Sequence, residues 1–416
     1  MSKSTKLFYL ILLIYIISFP IIPTTLEFKS ISLGDIMFFI VILFYLFLII
    51  TLEDSRKRVL RGLKDFFKDY TTLSMFLLAL IMLLSVSYAK EKTLALTEGL
   101  RFIYYIILYF IIKYEVNEKM IIDRILKGYL ISSAVISIFG IIQYFTKIGL
   151  DKKFIYDPKY YSVPIRITST LDNPNSLGAF LVLAIFPSIM LVFYAKSRRE
   201  KWIYSIFSIL IFANIMLSFS RNAWLAFGLG IAILFFIVNW KMVIITGAVL
   251  SSSIFIPSIR NRLGDFSAIS DNERILMWKT AIKMIKDHPI VGVGNGNFVS
   301  LYDEYVTKYP ELAYNHNKRF PSHNSYLKVQ SELGILGIVV FVLIILSVLI
   351  KIKKVIALME DKFHKAFYKG FFISILAFLL MNIADNLFFI PKITMSFWIL
   401  VAISQSINYN DICINK

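Results

Sequence analysis

Apolar residues run in blocks along this chain, most of them near twenty residues long and apolar on every side. Crossing about 30 Å of hydrocarbon takes a helix of roughly 20 such residues. Strands of an outer-membrane barrel would alternate apolar and polar positions over short segments instead. The pattern therefore predicts an all-α integral membrane protein with about twelve transmembrane helices, at 7–25, 33–52, 73–88, 94–114, 121–145, 176–195, 202–218, 223–240, 242–259, 334–350, 366–388 and 391–407. The tightest turn is at Trp240 and Lys241. Pro20 and Pro23 are not followed by a small-residue cleavage pattern, so the first block reads as a membrane helix and not as a signal peptide.

One long polar interval, 260–330, breaks the sequence of blocks between spans nine and ten. It predicts a large extracytoplasmic loop containing short helices. The expected organisation is a nine-span region over 1–258, a catalytic loop over 259–333 and a three-span region over 334–416. No fixed-period repeat and no low-complexity linker divides the chain, so the three form one integrated membrane domain.

Composition agrees, with 58% hydrophobic and 17% charged residues and 37 Phe, far from soluble averages. Charge adds orientation, because Lys and Arg gather in the cytoplasmic loops of a membrane protein. With the N-terminus inside, the inner loops carry Arg56, Arg58, Arg61, Lys64 and Lys68, then Lys196, Arg198, Arg199 and Lys201, then Lys351, Lys353, Lys354, Lys362 and Lys365. The loops 147–175 and 260–330 then face outward. The net charge of +18 is mostly this topology signal. It gives no reason to expect nucleic acid, since no basic stretch interleaved with exposed aromatics stands on a soluble domain. Cys413 is the only cysteine, which excludes an intramolecular disulfide.

Chemistry-bearing residues concentrate on the outer side. Arg101, inside the fourth span, faces a partner or an aqueous cavity, or else sits near the outer end and pairs with Glu98 three positions earlier. The loop 147–175 holds Tyr156, Tyr160, Tyr161, Arg166 and the run Asp172, Asn173, Pro174, Asn175. That run starts a helix by capping, and its amides and aromatics could also line a sugar site. Arg221, in the short link between spans seven and eight, either snorkels to headgroups or builds an anion site with the Ser and Asn around it. From Arg274 to Ile285 the apolar spacing predicts an amphipathic helix on the membrane, ending before Pro289. Gly292, Gly294 and Gly296 mark a tight, backbone-exposing turn. No strand precedes it and no Gly-Lys-Ser/Thr follows, which argues against a nucleotide loop. His323 and Asn324 begin the helix that enters span ten, near the level of Arg221.

Three segments together resemble the O-antigen ligase and O-antigen polymerase superfamily: Ser218 to Trp224; Arg274 and Trp278 followed by His288, Pro289, Gly292, Gly294, Gly296 and Phe298; and His323, Asn324, Tyr326, Glu332, Gly334 and Gly337. The loop from Arg166 to Gly178 is similar as well, and the resemblance covers about the last 250 residues. It implies a membrane C-type glycosyltransferase using an undecaprenyl-diphosphate-linked glycan donor and a glycan or lipid-linked acceptor, for lipopolysaccharide or cell-surface polysaccharide biosynthesis. On that resemblance Arg221 and Arg274 bind the diphosphate and His323 acts at the acceptor hydroxyl. Arg166, Asn173, Asn175, Asn324 and, by a looser match, Asp385 support them. No Asp-x-Asp pair stands in an outer loop, so the expectation is metal-independent transfer without a cofactor.

The chemistry is coherent. Fixed guanidinium groups stabilise charge developing on a leaving diphosphate, and a neutral imidazole is a suitable base for a hydroxyl at neutral pH. His323 as a helix cap is the bland alternative. A transporter or flippase of lipid-linked glycans, with Arg101 and Asp385 lining a path, is the other class; the repeated halves usual in such proteins are not evident.

Overall fold

A computed structural model describes residues 2–24, 26–28, 31–155, 165–238, 269–314 and 319–410. The expected span 242–259, the tyrosines at 156, 160 and 161, and Cys413 lie outside the described residues. The architecture is helical: α1 (Lys3–Ser18), α2 (Leu33–Thr51), α3 (Glu53–Phe66), α4 (Tyr70–Leu84), α5 (Lys92–Glu115), α6 (Lys119–Thr146), the single turn α7 (Lys152–Ile155), α8 (Pro174–Tyr194), α9 (Arg198–Leu217), α10 (Arg221–Val238), α11 (Ile269–Asp287), α12 (Phe298–Lys308), α13 (Ser325–Leu358), α14 (Lys362–Ala384) and α15 (Pro391–Tyr409). The strands Glu27–Phe28 and Ile31–Ser32 form one small antiparallel ladder between α1 and α2.

Among the described residues eight helices are long and apolar enough to cross a membrane, and Arg221–Phe236 is a shorter apolar one. Large apolar side chains such as Ile50, Leu84, Leu225 and Phe236 are more than half exposed. A water-facing exterior would not tolerate this, so these surfaces belong against lipid. The chain is a multi-pass, all-α membrane protein. α1, with 16 residues, is shorter than a standard span. In α15 every residue from Lys392 to Ile407 is buried, which makes it an internal helix of the bundle.

The core centres on α8, α14 and α15. α8 is buried over most of its length and packs along α9 and α14, while α15 lies against α5. Pro187 removes a backbone donor inside α8, and Ser374 on α14 donates to the Val182 carbonyl at 2.8 Å, within a turn of that gap. Polar residues start the helices as expected for caps: Ser32, Asp69, Asn173, Ser197, Asn324 and Asp361 each accept from first-turn N–H groups.

One end of the bundle collects the basic segments anticipated for inner loops. There α3 is an amphipathic helix that the sequence reading treated as loop. Arg58 forks onto the buried Glu115 at 2.6 and 3.1 Å, Lys113 bridges Asp65 and Asp69, Lys351 also reaches Asp69, and Lys119 meets Asp361 at 2.7 Å. The opposite end carries the polar interval. Its helices bury Met277, Ala281 and Met284 of α11 against Phe298, Tyr302 and Tyr314. The apolar stripe of α11 is therefore spent on the loop's own cluster, with only Ile275 and Ile282 outward.

Candidate active site

α14 ends at Asp385, where an extended backbone (φ −157°, ψ 170°) takes the chain out of the helix. Its carboxylate collects donors from three segments. Oδ1 lies 3.1 Å from His323 Nδ1 and accepts the Asn386 N–H at 2.9 Å, while Oδ2 accepts from Asn175 Nδ2 at 3.1 Å. Asn175 Oδ1 in turn accepts from Arg166 Nη2 at 3.4 Å, and Arg166 Nε donates to the Ser218 carbonyl at 3.3 Å. The Asp385 side chain is 10% exposed and the His323 side chain 26%, so the carboxylate is sealed in and the imidazole reaches out of it.

Burial by itself raises the Asp385 carboxyl. The His323 hydrogen bond and charge, the charge of Arg274 and the Asn386 N–H outweigh it and leave the group below its ordinary range. An ionised carboxylate only accepts, so in the neutral imidazole the proton sits on Nδ1 and Nε2 is left bare. That arrangement leaves Nε2 able to accept a proton, with the ring oriented from behind.

Two further links draw in the remaining arginines. Asn222 Nδ2 donates to the Met381 carbonyl at 2.8 Å. This ties the start of α10, whose first residue is Arg221, to the last turn of α14 beside Asp385. Arg274, near the start of α11, acts on Asp385 through its charge. The structure thus brings Arg166, Asn175, Arg274, His323 and Asp385 into one network and holds Arg221 on a segment bonded to its edge. Asn173 and Asn324 prove to be caps: Asn173 accepts the Asn175 N–H at 2.8 Å, and Asn324 accepts those of Tyr326 and Leu327 at 3.0 Å. Since Asn324 caps α13, His323 is not the cap.

The loops are wound tightly. Among the described residues five non-glycines have positive φ; Ser169, Asp172, Phe219 and His323 are four of them, all in segments that carry the network. Such backbone costs about 1 kcal/mol or more per residue and persists where the surroundings fix it.

The glycine run serves a different purpose. Gly292 (φ +72°) and Gly334 (φ +65°) let two backbone segments pass closely: a Cβ on Gly292 would stand 2.4 Å from the Glu332 backbone, and one on Gly334 2.1 Å from that of Ile290. The kink of α13 at Gly334 frees carbonyls for the loop: Val293 N–H bonds Ser331 O and Gly294 N–H bonds Glu332 O, both at 2.9 Å. The exposed amides hold an internal anion, with the Glu332 carboxylate accepting from Gly296 N at 2.8 Å. Lys328, one helical turn earlier, pairs with Glu332 at 2.7 Å and with Glu98 at 3.2 Å. Glu98 is thereby engaged elsewhere, and it makes no ion pair with Arg101 among the described residues.

Sequence reasoning grouped Asn222 with Arg221 but not with α14, and missed Ser325, Asn382 and Asn386. Ser325 Oγ donates to Asn382 Oδ1 at 2.7 Å and fixes α13 to α14 directly beneath the His323–Asp385 contact. Those three stand within three positions of His323 or Asp385, so nearness in the chain was the available signal. The Lys328–Glu332 pair was legible as an i, i+4 spacing. Among the described residues no group of three or more His, Cys, Asp or Glu is placed to share a metal ion.

Compared with known proteins, residues 206–342 match a family model described as O-antigen ligase, about a third of the chain. The matched interval contains Arg221, Arg274, the glycine run and His323, and stops before Asp385. No curated protein matches the chain.

Proposed function

We propose, from the match of residues 206–342 to the O-antigen ligase family, that the chain is a membrane glycosyltransferase working on the outer face of the cytoplasmic membrane. It transfers or polymerises an undecaprenyl-diphosphate-linked oligosaccharide by inverting, metal-independent displacement. The observation that carries this reading is the His323 Nδ1 to Asp385 Oδ1 contact of 3.1 Å, set among Arg166, Arg274 and the Arg221 segment.

In the reaction the acceptor hydroxyl gives its proton to His323 Nε2 while its oxygen bonds the anomeric carbon from the face opposite the diphosphate. The carbon–oxygen bond to the diphosphate breaks, and the electron pair leaves with the phosphate oxygen. Arg221 and Arg274 match the growing charge with forked N–H donors. Asp385 stabilises the imidazolium that forms. Its hydrogen bonds to His323 and Asn175 favour this supporting role over the lining of a transport path.

The test is transfer by purified protein in detergent, supplied with undecaprenyl-diphosphate glycan and with lipid A core or a second lipid-linked repeat as acceptor. Product in the presence of excess EDTA is expected, and the acceptor that yields it separates ligation from polymerisation. Loss of product on chelation would overturn the metal-independent mechanism. No product with any acceptor would overturn the transferase.

A further inference from the structure

A second polar cleft, of about 400 Å3, opens at the end of the bundle that carries His323 and lies outside the network just described. α1 and α2 form one wall with Phe19, Ser32 and Asp35, α5 another with Thr97, Arg101 and Tyr104, and the start of α15 closes it with Lys392. Two of these residues have no role so far and are both cations. Lys392 is 6% exposed, and its ammonium donates to the Thr170 carbonyl. Among the described residues no carboxylate stands within ion-pair distance of it, though Asp172 acts on it through charge from further off, and none pairs with Arg101. Asp35, the one carboxylate among the described residues of the cleft, is hydrogen-bonded by Ser32 Oγ at 2.7 Å. Buried cations are ordinarily paired, and a buried ammonium beside a cavity, with no carboxylate in direct contact, is a site for an anion from outside.

The rest of the lining says which kind of anion. Phe19 and Tyr104 offer ring faces, and Asp35, Ser32 and Thr97 offer acceptors for hydroxyl groups, the mixture that suits a saccharide. The cleft also touches the catalytic network through one short segment. Thr170, held by Lys392 and by its own hydrogen bond to the Pro20 carbonyl at 2.9 Å, lies five residues before Asn175, which bonds Asp385.

We propose that this cleft binds an acidic sugar of the acceptor, one carrying a carboxylate or a phosphate, with Arg101 and Lys392 as its cation pair. Its assignment to the acceptor rests on the transferase reading, because Arg221 and Arg274 are taken there by the donor diphosphate. Its affinity for an anionic sugar rests on the cleft alone.

The experiment is accordingly a binding measurement first. Purified full-length protein in phosphatidylcholine nanodiscs is titrated with digalacturonate, a hexose phosphate and maltose, followed by saturation-transfer NMR. At least one acidic probe binds, maltose binds at least tenfold more weakly, and Arg101→Gln combined with Lys392→Gln removes the difference. Arg101→Gln alone, at an exposed position, shows a partial loss and guards against a double variant that fails to fold; Arg101→Lys with Lys392→Arg restores binding. His323→Ala binds as the wild type does. In the transfer assay the double variant raises the acceptor KM at least tenfold and leaves the donor KM and the kcat unchanged. Equal binding of maltose, or indifference to the neutral variants, overturns the site. Displacement of the acidic probes by phosphatidylglycerol in the disc overturns it in favour of a lipid headgroup. A protein that binds the acidic probe but transfers nothing leaves the site standing and sinks the transferase.

Discussion

His323 sits in the left-handed region, at φ +49°, directly before the residue that caps α13. The strain turns the imidazole away from the helix it precedes and onto Asp385, 62 residues later in the chain. That partnership was only partly legible: residue types and a family resemblance singled out both members, but nothing local in the sequence announces a contact across two membrane helices. Asn173 went the other way, since its capping signature matched the bond it makes, whereas the cap of α13 was offered to His323 and belongs to its neighbour Asn324. The dyad makes a distinct prediction for Asp385→Asn. An amide donates toward Nδ1 and so favours the tautomer with the proton on Nε2, which cannot accept from the hydroxyl. Transfer is expected to fall by roughly 10² to 10⁴, the usual scale of general-base loss. Donor binding measured on the same preparation stays intact.

At the scale of elements, the glycine turn and the kink of α13 form one joint that fixes the polar loop on the bundle. Gly292 and Gly334 are glycine because the Glu332 backbone occupies the space where a Cβ on the first would go and the Ile290 backbone the space where one on the second would go. For Gly292→Ala, strain at φ +72° and overpacking against Glu332 together cost about 2 kcal/mol or more. Thermal unfolding in detergent should show a clear drop in Tm, with activity falling as the loop loses its seat; an unchanged Tm would refute the joint. The sequence identified the turn as backbone-exposing, but the occupant of its amides, Glu332, comes from 36 residues away and left no local trace. The helix α3 was missed for another reason. Its 14 residues are rich in charge and were read as loop, although Glu53 and Lys57 already stand at the spacing of a helical ion pair, realised at 2.7 Å. The apolar blocks, by contrast, were read readily as helices, because length and all-round apolarity specify little else.

Across the whole molecule the two ends are chemically unlike: one gathers Arg58, Lys113, Lys119 and Lys351 with their carboxylates, the other gathers the polar loop and the His323 network. Charge bias predicts that the first end faces the cytoplasm. Cysteine labels at Asp303 and Asp151 should therefore react from outside and one at Arg56 only from inside; a cytoplasmic Asp303 would end the case for chemistry on the outer face. The central claim, that this bundle is a scaffold for glycan transfer with His323 as base, is tested most directly by one comparison. Purified wild type and His323→Ala are given the same undecaprenyl-diphosphate donor and acceptor, with donor binding measured in parallel. The variant is expected to stay folded and bind donor while transfer falls by roughly 10² to 10⁴; full transfer by His323→Ala would contradict the account.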